Sequence, residues 1–420
     1  LGYMPSKLAK TQYTVFDNPA ICISMYNDSE KWQALVQACL SHWIDKYGLA
    51  NVRRWRFTVF SMNYSRLQYT APVMSHEDYC KMFEATYQTI KMIDPELKLG
   101  GAGCFPGIAL APDGLRRFLL DVKEHGCPPD FITVQCYPHE DFSQDSDFFY
   151  FTSKQTSMPS VLSKDRNFTL HFLQTFHRVR QEIGFADCPI VVEEWNSTLW
   201  QRDLSGDTCY KAAWLIKNVL QNYDQAEYLG YWLLTDFLDE WLVPGGIFHG
   251  GYGLFTINGI PKAGYQALRM LGRIGERKIA SGEGWFVSQS ENTIQVYLYH
   301  YCHYDALYRY RYQKLTDPHD AYKVFEVDGR LKIELELCGL DPGVYRQESW
   351  TLNRSAGSTF DKWLEMEAPR VMTPEDLKYL NDMAQPLCKI RDTDTAGALH
   401  LQAELEPHEV RLIVLKKRDG

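Results

Sequence analysis

The 420-residue chain contains no apolar run approaching the roughly 20 residues that span a bilayer, which excludes a helical membrane protein. Nor does it contain a run of Lys and Arg able to neutralise a row of phosphates, and its formal charge is -9. A nucleic-acid surface within this segment is therefore not expected, and an uncharged or weakly basic ligand suits it better. The 11 cysteines include no C-x-x-C pair and lie singly in apolar contexts such as Q-A-C-L. That pattern reads as reduced core thiols of a cytoplasmic protein, not as a disulfide framework or a zinc site; no metal and no cofactor is expected. The sequons at Asn167 and Asn196 are then accidental. No internal repeat and no low-complexity tract is detected; no stretch resembles a signal peptide, which says little of a leader because the opening L-G-Y-M-P reads as starting within a domain.

What is present is apolar enough, at 45% hydrophobic and 14% aromatic, to build a large core and a second domain. Up to about residue 275, strand-like runs alternate with amphipathic segments. Trp32, Leu35, Val36, Cys39, Leu40, Trp43, Ile44 and Tyr47 recur at helical spacing before a stop at Gly48. A strand over Trp55–Ser61 follows, then a helix capped by Ser75, and the alternation continues through F-I-T-V-Q-C-Y-P, P-I-V-V-E-E-W-N and L-G-Y-W-L-L-T-D. Such alternation implies βαβ units and a parallel sheet over residues 1–275. Over residues 276–420 the pattern becomes period two, as in T-I-Q-V-Y-L-Y and R-L-K-I-E-L-E-L, which predicts an antiparallel β-sandwich with one helix near T-P-E-D-L-K-Y-L.

The sharpest local signal is I-V-V-E-E-W-N-S-T, residues 190–198. In a regular strand Val192, Glu194 and Asn196 share one face, and Val191, Glu193 and Trp195 the other. The two adjacent carboxylates are thus expected on opposite sides. A carboxylate at the C-terminal end of a barrel strand is placed for catalysis, and the bland alternative is one surface salt bridge beside one solvated acid.

V-E-E-W-N-S-T, Y-W-L-L-T-D-F-L-D-E, F-H-G-G-Y-G-L-F-T-I-N-G-I-P-K, V-R-R-W-R-F-T-V-F and the tail L-E-P-H-E-V-R-L-I-V-L occur in collinear order. Together with the opening L-G-Y-M-P they resemble glycoside hydrolase family 39, the β-xylosidase family, over nearly the whole chain. The resemblance implies a (β/α)8 barrel with an attached β-sandwich, acting with retention through Glu residues on the fourth and seventh strands. It aligns Leu1 with the end of the third strand, so the first two βα units would be missing. It also implies a β-linked xyloside as partner, with no membrane.

On this resemblance Glu194 stands at the nucleophile position. The proton donor belongs to a block like F-E-V-W-N-E-P-N, and the aligned residues here run from Phe57 to Tyr64, with Met62 at the acid. A thioether cannot donate a proton. Ser61 replaces the Asn before it, and Gln135 stands where the sixth strand carries His. Ser61, Gln135, Tyr137, Asn196, Trp232, Asp236 and His249 are the implied substrate-binding positions. Glu193 is expected to face away from Glu194, and Glu140 and Asp141 are poor substitutes on a loop. Two functions follow: a β-xylosidase-like hydrolase with an impaired acid, or an inactive sugar-binding sensor attached to a helix-turn-helix regulator.

Overall fold

The computed structural model describes residues 1–12, 14–15, 21–22, 24–59, 74–104, 111–141, 160–238 and 246–418. They form two compact units. The first comprises the described residues of Leu1–Leu199 and Asn222–Trp232; the second, those of Trp200–Gln221, Leu233–Asp239 and Val243–Gly420.

In the first unit, helix α1 (Ser29–Tyr47) begins where the Asp28 carboxylate accepts from the backbone of Glu30 and Lys31, and it ends at Gly48, whose φ of 80° suits a residue without Cβ. It buries Trp32, Val36 and Leu40, while Leu35 and Tyr47 are exposed, so the apolar stripe is narrower than its sequence pattern. Helix α2 (His76–Ile93) starts with Ser75 Oγ accepting from Asp78 N–H, as the sequence predicts. Helices α3 (Ala111–Glu124) and α4 (Phe168–Glu182) follow.

Five strands, β1 (Arg56–Thr58), β2 (Lys98–Cys104), β3 (Phe131–Cys136), β4 (Ile190–Trp195) and β5 (Tyr228–Tyr231), pair in parallel in their chain order. A doubly wound sheet reverses its strand order at a switch point; an unbroken sequential order is that of a barrel. Every residue of β3 is buried, as a strand covered on both faces requires. Only Arg56–Thr58 of the expected Trp55–Ser61 strand is described with strand pairing, and Ser61 and Met62 lie outside the described residues.

The second unit holds helices α5 (Cys209–Gln221) and α6 (Ala263–Leu271) and the antiparallel strands. Six of these, β6 (Arg277–Gly282), β7 (Trp285–Ser290), β8 (Thr293–Tyr299), β10 (Gly343–Leu352), β11 (Leu387–Thr395) and β13 (Val410–Lys417), form one sheet in the order β6-β7-β8-β13-β10-β11. Strands β9 (Leu331–Cys338) and β12 (Ala398–Leu405) form the other. Val296, Leu298 and Leu415 from the larger sheet pack on Ile333, Leu401 and Leu405 from the smaller, which makes this a β-sandwich. The expected late helix is Pro374–Asp382, opened by a reciprocal Thr373–Asp376 capping box.

The parallel sheet depends on close packing at Gly100, where an added Cβ would lie 2.1 Å from the Phe131 ring. Gly100→Ala is expected to destabilise the chain by about 1–3 kcal/mol, read by urea denaturation, because neither the strand nor the ring can move without disturbing the core.

Candidate active site

Strands β3 and β4 run in register from Ile132 opposite Ile190 to Val134 opposite Val192. Gln135 then pairs with Glu194, and Cys136 with Trp195, so β4 carries one residue more than its neighbour. Against β5 the same irregularity falls between Val192 and Trp195. This is a β-bulge at the end of the strand, and it corrects the expectation of strict alternation: one extra residue removes one step of the up-and-down pattern. Glu193 lies within electrostatic reach of Glu194 and of the Leu1 ammonium, and its carboxyl is hydrogen-bonded by Thr58.

Glu194 is half-buried and accepts a hydrogen bond of 3.0 Å from Tyr137 Oη, on the residue just after β3. Burial pushes its carboxyl up to about 7, with the Tyr137 bond opposing. Burial, reinforced by the charge of Glu194, pushes Glu193 up to about 8. Among the described residues, Glu193 Oε1 is buried without a hydrogen-bond partner. Neither acid matches the bland alternative of a solvated surface charge.

The structure brings Gln135, Tyr137, Asn196 and Trp232 to the same end of the parallel sheet as Glu194. Gln135 and Tyr137 are buried. Asn196 is fully buried, which bears on its sequon: its side-chain amide donates to the Trp232 carbonyl and its Oδ1 accepts from Ser197 N–H at 2.7 Å. Asn196 thereby ties the end of β4 to Trp232, whose own N–H donates to Trp195 O.

His139, which the sequence pattern did not single out, is buried. Its Nε2 accepts from Leu199 N–H at 2.9 Å. Burial lowers its pKa to about 3, so the ring is neutral with the proton on Nδ1, and it holds the turn after β4 in place. Glu140, expected on a loop, lies instead in a short strand, His139–Asp141, paired antiparallel with Ser160–Leu162, and its Oε1 accepts from Ser163 Oγ and Lys164 N–H.

Asp236 and His249 belong to the second unit. Asp236 is buried; its Oδ1 accepts from Gly253 N–H at 2.7 Å and its Oδ2 pairs with Lys262 at 2.6 Å. Lys262 also pairs with Asp207 at 2.6 Å, and Asp207 accepts from Gly250 N–H. Both oxygens of Asp236 are thus engaged within this buried network. An added Cβ would lie 2.2 Å from Asp236 Oδ1 at Gly251 and 2.6 Å from it at Gly253, so these two glycines of H-G-G-Y-G allow close approach to this carboxylate, whereas at Gly250 a Cβ would meet the backbone of Arg202 and Asp203. His249 Nδ1 lies 3.2 Å from Gly246 O, a local loop contact.

The profile of glycosyl hydrolases family 39 matches residues 1–400. The chain belongs to that family. It is 24% identical over 417 residues to a β-xylosidase of Geobacillus stearothermophilus, an alignment covering 99% of this chain and 76% of that protein. An HTH-type transcriptional regulator of Staphylococcus aureus is 21% identical over 267 residues, covering 63% of this chain and 33% of the regulator. Among solved structures, a monomeric β-xylosidase from Caulobacter crescentus superposes with a TM-score of 0.84 at 21% identity, over 100% of this chain and 80% of that one. The fold is therefore the family 39 barrel with its β-sandwich.

A carboxyl raised to about 7 binds protons more tightly in the native state than in the unfolded chain. Between the ordinary carboxyl range and about 7 the native state holds the extra proton, so stability falls as pH rises through that window. Glu194→Gln is expected to remove this decline, gaining on the order of 2 kcal/mol over wild type at pH 8 and little at pH 4 in urea denaturation. Lys262→Met leaves two buried carboxylates unpaired and is expected to lose about 3–5 kcal/mol in the same assay.

Proposed function

We propose that this family 39 chain recognises a β-linked xyloside at the C-terminal end of its parallel sheet and cleaves it slowly with retention, Glu194 being the nucleophile. The observation that carries the reading is Glu194 itself: a half-buried carboxylate at the end of β4, held by Tyr137 Oη and flanked by a second half-buried acid, Glu193. The β-xylosidase relative in Geobacillus stearothermophilus supports the substrate class.

A retaining reaction needs a second carboxyl group about 5–5.5 Å from the nucleophile, to protonate the leaving oxygen and later to activate water. By alignment with the family block that position is Met62, outside the described residues. Loss of a general acid costs about 10² to 10⁴ in rate, least for leaving groups that need no protonation. Glu193, mostly protonated at neutral pH, is the neighbouring acid that would supply a residual proton.

The expected outcome is turnover of activated aryl β-xylosides that Glu194→Ala abolishes. Because the nucleophile acts ionised, the rate should rise with pH through about 7. A fall above about 8 that vanishes in Glu193→Gln assigns the proton to Glu193; a plateau removes it from that role. Met62→Glu should raise kcat/KM at least tenfold on xylosides with poor leaving groups. If neither the wild type nor Met62→Glu turns over any aryl β-glycoside, the hydrolase reading fails.

The regulator relative in Staphylococcus aureus favours a second reading, a sugar-binding sensor domain that has lost its chemistry. Calorimetric binding of xylose or xylobiose without turnover supports it, and absence of heat with these sugars removes it.

A further inference from the structure

Away from the sheet rim, helices α2 and α3 pack side by side and bring together three side chains that the proposed sugar chemistry does not use. His76 and Cys80 stand one turn apart on α2, the i, i+4 spacing that puts two ligands on one helix face. Asp121 approaches from the last turns of α3. His76 Nε2 is 2.6 Å from Asp121 Oδ2, Cys80 Sγ is 3.4 Å from the same Nε2, and Sγ is 3.9 Å from the same Oδ2.

A hydrolytic relay would use opposite nitrogens of the imidazole, one toward the thiol and one toward the carboxylate. Here both neighbours converge on Nε2, so the three donor atoms surround a common point instead of forming a line. Those three separations admit a point about 2.0 Å from the nitrogen and the oxygen and about 2.3 Å from the sulfur, the bond lengths of Zn²⁺ to these ligand atoms. Burial and the Asp121 charge push the Cys80 thiol up to about 12, so it is inert as a free nucleophile.

We propose that His76, Cys80 and Asp121 bind a divalent transition-metal ion, Zn²⁺ by donor type, with water in the fourth position, and that the ion clips α2 to α3. On binding, the thiol proton is released to solvent and the thiolate ligates. Cys80 is buried while the His76 and Asp121 side chains are 21% and 36% exposed, which provides an entry path and an open coordination position. The opposing feature is the Arg117 guanidinium, one turn before Asp121 and within electrostatic reach of Cys80. This departs from the expectation of no metal, which rested on the scattered single cysteines; the spacing along the chain does not show that ligands from two helices meet.

The test is titration of the full chain with Co²⁺, reading the thiolate-to-cobalt charge-transfer band, followed by displacement with Zn²⁺. The expected result is a one-equivalent band that Cys80→Ser abolishes, that Asp121→Asn weakens at least tenfold in affinity, and that Arg117→Gln strengthens. Zn²⁺ should raise Tm in wild type and not in Cys80→Ser, whose small isosteric change preserves the fold. Absence of a band in wild type, or a band and a Zn²⁺-dependent Tm unchanged by Cys80→Ser, overturns the proposal.

Discussion

The hydrogen bond from Tyr137 Oη to Glu194 joins the ends of two neighbouring strands and sets the character of the site. Burial favours the neutral carboxyl; the phenol donor favours the carboxylate. The resulting balance near neutrality separates Glu194 from an ordinary solvated glutamate. It depends on register, because a residue following β3 can meet a residue ending β4 only where Gln135 and Glu194 are paired.

That register is reached through a bulge. Without the extra residue, Glu193 would take the opposite face of the strand from Glu194 and the two charges would be insulated by the backbone. At the bulge the charge of Glu194 adds to burial in raising the cost of ionising Glu193. The surrounding turn is held by backbone contacts: Asn196 bridges to Trp232, and neutral His139 accepts from Leu199. These side chains position the rim through the main chain, so their neighbours are set before any ligand arrives.

The second unit solves a different electrostatic problem. Lys262 is almost wholly buried between two carboxylates, and those carboxylates are also bonded by the backbone N–H groups of Gly250 and Gly253. Their mutual attraction holds the Lys262 pKa above its usual value in spite of burial. The glycines admit the main chain close enough to complete the network.

Periodicity alone determined the succession of parallel βα units followed by antiparallel strands, because burial of one helix stripe or of both sheet faces writes a local pattern. Side-chain chemistry also marked Glu194, since an acid at the end of an apolar strand stands out from its neighbours. Tertiary structure alone decided the bulge at Glu193, the engagement of Asp236 by Lys262, and the meeting of Cys80 with Asp121. Each depends on which residue of another element arrives opposite, a relation between segments distant in the chain that no local spacing encodes.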